Sequence, residues 1–70
     1  MNEIFYKKII KETYAVNGKK LLARRREKGF TLQILANKVG CAISFISSLE
    51  IGRKKSITIE LGNKIMEALK

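Results

Sequence analysis

The sequence predicts an all-α fold, a compact domain of five helices, and three observations lead to that expectation. Apolar residues recur three and four apart along most of the 70 residues, the spacing at which one face of a helix is buried. Pro is absent, and the periodic runs break at Asn17-Gly18, Gly29 and Gly40, residues that end helices. Ala36, Gly40, Ile46 and Leu49 stand four, six and three residues apart, as two short helices crossing steeply over a tight turn require. A small Ala lets the second helix approach, and Gly can take the left-handed conformation that opens the turn. Ile46 and Leu49 then share the face that packs back on the first helix.

Taken in order, residues 2–15 place Phe5, Tyr6, Ile9, Ile10, Thr13 and Tyr14 at helical spacing among Lys7, Lys8, Lys11 and Glu12. This predicts an amphipathic N-terminal helix stopped at Asn17-Gly18. Residues 1–17 are thus a helical extension, and residues 18–70 the main domain, together one compact unit. A second helix, Lys19 to Lys28, turns Leu21, Leu22 and Arg25 inward and stops at Gly29. Thr31 caps a third, 32–39, and Gly40-Cys41-Ala42 leads into a fourth, 43–50. After a basic connection, Gly52 to Ser56, Thr58 caps a last helix, 59–69. Its Ile59, Gly62, Ile65, Met66 and Leu69 form one buried stripe. Gly62 costs such a helix about 1 kcal/mol relative to Ala, which points to close packing there. Only residues 15–16 and 57–59 have any strand character, and no internal repeat or long linker occurs.

Composition narrows the function. A single Cys and no His exclude an internal disulfide and a Cys/His metal set, so neither a metal nor a cofactor is expected. With six acidic residues and one Cys, no nucleophile–base pair can be assembled, which argues against an enzyme. There is no run of about 18 apolar residues for a membrane span and no apolar signal-peptide stretch, so a reducing, cytoplasmic setting is expected. Charge is unevenly spread. Residues 18–28 carry six Lys or Arg against Glu27, Arg53-Lys54-Lys55 add three more, and the segment 29–50 between these blocks is neutral. Eight of the nine net positive charges therefore flank a helix pair of no net charge, the distribution of a footprint on a polyanion.

Gly18, Leu21, Arg25 and Gly29, then Ala36, Gly40, Ile46 and Leu49, then Glu50 and Gly52 before the basic loop, stand in one register over residues 18–69. This set resembles the helix-turn-helix DNA-binding domains of the phage-repressor type, the XRE or Cro/CI family. The fold implied is lambda-repressor-like, with the N-terminal helix as an addition. The resemblance implies that Arg25 pairs with Glu50 as a structural clamp on the recognition helix. It also implies that this helix enters the major groove by its N-terminal end, with Ala42, Ile43, Ser44, Ser47 and Ser48 toward the bases. An exposed Ile43 suits a thymine methyl group or, alternatively, covers the edge of the core. Phe45 leans on the sugar-phosphate backbone or on the core edge. Arg53, Lys54 and Lys55 match the phosphate-contacting loop, and Gln33 and Asn37 can bond phosphates through their amides. Lys19 and Lys20 can reach the backbone further out.

Two departures stand out. Leu32 occupies the position where many relatives carry a phosphate-bracing Gln, with Gln33 next door. Ala42 stands where a Ser or Thr cap is usual, at a cost of about 1 kcal/mol. Cys41 matches a turn position usually filled by a small apolar residue and is read as a hydrophobe rather than a redox sensor.

The function implied is a sequence-specific transcriptional regulator acting as a homodimer on a palindromic operator in double-stranded DNA. With the sequence ending just past the last motif helix, Phe5, Tyr6, Ile9 and Ile10 are expected to bury against a second subunit or to extend the core. The Ser-rich face keeps an alternative open, an antitoxin- or anti-repressor-like module holding a protein partner through its N-terminal helix. A membrane-surface role for residues 2–15 is opposed by their low net charge.

Overall fold

The structure, a computed structural model, describes residues 4–7 and 13–70, with the backbone alone at 6 and 7. The fold is not all-α. Four helices pack with a three-stranded antiparallel sheet, in the order β1 (Phe5–Lys7), β2 (Thr13–Val16), α1 (Gly18–Glu27), α2 (Leu32–Val39), α3 (Ile43–Glu50), β3 (Ser56–Thr58) and α4 (Ile59–Ala68). The helix expected over residues 2–15 is replaced by β1 and β2, and the five-helix domain with it. Ile9 and Ile10 lie outside the described residues.

The physical reason lies in side-chain type. Phe5, Tyr6, Thr13, Tyr14 and Val16 are aromatic or β-branched, and such side chains favour a half-buried pleated surface. The apparent helical spacing runs out of one strand and into the next, so it is not the period of a single element. β2 is the central strand. Phe5 stands opposite Val16 on one side, and Tyr14 stands opposite Ile57 on the other. The rings of Phe5 and Tyr14, diagonal neighbours on the ladder, lie 5.6 Å apart at 47°. Strands this short are marginal alone and need a packed layer beneath them. That layer is α4. The Tyr14 ring lies on Gly62, and the Tyr14 hydroxyl donates to Asn63 Oδ1 at 3.1 Å. Gly62 does mark close packing, against Tyr14 of β2.

Asn17-Gly18 starts a helix rather than ending one. Asn17 Oδ1 accepts from the Lys20 N–H at 3.2 Å as the N-cap of α1, while its own N–H donates to Ile4 O at 2.7 Å and ties the sheet to the helices. The other helix signals act as the sequence indicates. Thr31 and Thr58 cap α2 and α4, accepting from Ile34 N and Leu61 N. Gly40, at φ 83°, opens the turn across which the axes of α2 and α3 change direction by 113°. Ala42 begins α3 with no side-chain cap. Leu21, Leu35, Ile46, Leu49, Ile65 and Leu69 are fully buried, drawing all four helices onto one core with Phe5 and Ile57 from the sheet.

Gly62→Ala should destabilise the fold. A Cβ there would lie 2.8 Å from Tyr14 Cε2, and overpacking of this kind costs about 1–3 kcal/mol. That exceeds the roughly 1 kcal/mol gained in helix propensity. Urea unfolding should show a lower midpoint, with the loss largely relieved when Tyr14→Leu is added; an unchanged midpoint in the single variant contradicts the contact.

Candidate nucleic-acid interface

Two contacts from α1 set the position of α3. Gly18, in the first turn of α1, abuts the last turn of α3 so closely that a Cβ would lie 2.6 Å from Glu50 O and against Leu49 O. The amide-rich start of one helix thereby meets the carbonyl-rich end of another, where their dipoles are complementary. Two turns further along α1, Arg25 reaches the same place from the side. Its Nε donates to Glu50 Oε2 at 2.6 Å, Nη2 to Glu50 Oε1 at 3.1 Å and Nη1 to Phe30 O at 2.8 Å. The side chains are only 11% and 6% exposed, so the forked guanidinium satisfies a buried carboxylate and fixes the loop before α2 as well.

Held this way, α3 buries Ile46 and Leu49 and turns its other face outward. Ala42, Ile43 and Ser44 are exposed at its start, and Ser47 and Ser48 are half-buried further along. Ile43 is 39% exposed. The Ser48 hydroxyl donates to Ser44 O at 2.8 Å, so its proton is committed within the helix. Phe45 is half-buried, packed against the core, and Lys54 Nζ sits 5.5 Å from its ring centroid. Lys54 N also donates to Ser48 O at 3.1 Å, which fastens the basic loop to the end of α3. Arg53, Lys54 and Lys55 are all exposed. On α2, Gln33 and Asn37 are exposed and bonded to each other, Gln33 Nε2 to Asn37 Oδ1 at 2.9 Å. None of α1, α2 and α3 carries an acidic residue in its first turn, so their positive ends are left uncompensated by acidic side chains of that turn.

Of the residues expected at a subunit interface, only Phe5 has its side chain among the described residues. Phe5 is 5% exposed, buried in the chain's own core, Tyr6 is described in its backbone alone, and Ile9 and Ile10 lie outside the described residues. Ile51, 67% exposed, continues the outward face one turn past Ser47 and was missed by sequence reasoning. The four-residue step from Ile43 through Ser47 would have found it. Cys41 is half-buried against the core, and burial pushes its thiol pKa up. Among the described residues no cluster of His, Cys, Asp or Glu could hold a metal ion, and no single helix is long and apolar enough to cross a membrane.

Removing one partner of the α1–α3 ion pair leaves the other charge buried. Glu50→Ala should cost about 3–5 kcal/mol. The double variant Arg25→Met/Glu50→Leu should lose clearly less, and urea denaturation of the three proteins measures both. Equal losses in single and double variants would contradict a paired, desolvated charge. At Cys41, iodoacetamide should react more slowly at pH 7.5 with the folded protein than with the urea-unfolded chain, since the reactive thiolate is disfavoured in the fold. A faster folded-state reaction would mean an activated thiol.

Solved structures of SinR share this arrangement. SinR, the master regulator for biofilm formation, in its crystal structure in complex with DNA, superposes with a TM-score of 0.71 at 35% identity, over 74% of this chain and 82% of that one. The complex of the SinR and SinI proteins superposes at 0.70 and 35% identity, over 74% of this chain and 50% of the matched chain. No protein-family model matches the chain, and a search of curated proteins finds no match.

Proposed function

Because the chain belongs to the helix-turn-helix repressor family represented by SinR, we propose that it is a DNA-binding transcriptional regulator of the XRE type, with α3 as the helix that enters the major groove. One observation carries the reading: an outward α3 face, held by a buried ion pair and flanked by an exposed basic loop, on a frame that superposes on SinR, a protein crystallised in complex with DNA.

In this reading the start of α3 leads into the groove, bringing Ala42, Ile43, Ser44, Ser47 and Ser48 to the base edges. Arg53, Lys54 and Lys55 neutralise phosphates beside it. Gln33 and Asn37 offer amide donors to the backbone beside the positive end of α2, and the Phe45 ring holds Lys54 at the groove edge. A single helix covers only a few base pairs, so useful specificity calls for two copies on a palindromic operator. The SinR and SinI complex favours a second reading, in which the same frame also holds a protein partner.

A salt titration tests the DNA reading. On a duplex from upstream of its own gene, log K should fall linearly with log salt, by about 0.9 per phosphate neutralised. Lys54→Ala should reduce the slope by about 1, with little change in preference among sequences. Weak, salt-insensitive binding to that fragment and to random duplex alike would remove the DNA reading and leave the protein-partner one.

A further inference from the structure

The groove-facing side of α3 is unusual in what it lacks. From Ala42 to Ile51 there is no Arg, Lys, Asn or Gln, so no side chain can make the two-pronged hydrogen bonds that distinguish guanine or adenine in the major groove. Of the serines there, Ser48 has already committed its proton to Ser44 O. What the face presents instead is apolar. Ile43 leaves 39% of its surface in water in the first turn, next to exposed Ala42. Small side chains surround it, with Ser44 beside it and Ser47 one turn on, so the helix backbone can come close to the base edges. Ile43 is β-branched and stiff at χ1 in a helix, so holding it in one orientation costs little entropy.

Resting on the DNA-binding reading above, we infer that the chain selects its site by the C5-methyl groups of thymine, with Ile43 as the specificity-determining residue. The thymine methyl is the one apolar group that a base pair exposes in the major groove, and a hydrogen-bond-poor, apolar helix start recognises it. Covering that methyl removes apolar surface of both partners from water, a gain of about fourfold in affinity per methyl. Ser44 and Ser47 accept or donate to any base edge and so add affinity with little discrimination.

The test uses the whole chain and a duplex selected by it from a random-sequence pool. Thymine in the selected duplex is replaced by deoxyuridine one position at a time, which removes the methyl and preserves pairing, charge and every hydrogen-bonding group. At one or two positions per half-site the wild-type protein should lose about fourfold or more. 5-Methylcytosine placed there in a G·C pair should recover part of the loss relative to unmodified cytosine. Ile43→Ala should bind the thymine and deoxyuridine duplexes alike, with an unchanged salt slope and an unchanged helical circular dichroism signal. Ile43→Val should retain the discrimination. If deoxyuridine is tolerated everywhere while binding remains tight and salt-dependent, methyl recognition is wrong and the DNA reading stands. Failure to bind any duplex at low salt sinks both.

Discussion

The ion pair between Arg25 and Glu50 is the constraint on which the geometry of the outward face depends. Both side chains are buried, and a charge in such a place is tolerable only when its partner meets it with complete hydrogen bonding. Arg25 supplies two bonds to the carboxylate and a third to Phe30 O, so one side chain ties α1, the loop before α2 and the end of α3 together. Apolar residues of similar volume can hold a core as well as a buried pair can. What they cannot do is specify where a helix end lies by directional bonds. The close seat of Gly18 against the last carbonyls of α3 adds a steric limit in the same place. Position rather than stability is the gain, and α3 is where position matters.

That arrangement also separates the charges by task. Arg25 and Glu50 neutralise each other within the fold, and Arg24 lies along Glu27 on the surface of α1. Arg53, Lys54 and Lys55 are exposed, with Lys54 held at both its backbone and its ammonium end. Under the proposed function, a cation fastened at the edge of the outward α3 face grips a polyanion without reading it, which leaves the base-reading part of the surface free to be small and uncharged.

Much of the helix pair was legible in the sequence because its signals are local. Thr31, Gly40 and Thr58 act on the backbone within four residues, and Ile46 and Leu49 lie one turn apart. Of the sheet, only the strand character of residues 15–16 and 57–59 was legible. β2 pairs with a strand that follows it by about 40 residues, and no periodicity within one window reports such a partner. Ile9 and Ile10 completed a helical pattern with residues that belong to two different strands. Asn17 shows how a local signal can mislead: Asn before Gly can end a helix or, as here, cap the next one, and only the neighbouring element decides. At the α3 surface, Ile43 and the serines were visible from spacing, whereas the commitment of the Ser48 proton and the exposure of Ile51 required the helix to be placed against its neighbours.

The central position of β2 bears on the order in which the domain can be completed. During synthesis, Thr13–Val16 leaves the ribosome well before Ser56–Thr58, the strand that covers its second edge, and before Gly62, on which Tyr14 rests. Until then, β2 has one edge without its partner strand. An unpaired strand edge is a template for pairing with another chain, so β2 is exposed to that hazard until β3 and α4 arrive to cover it.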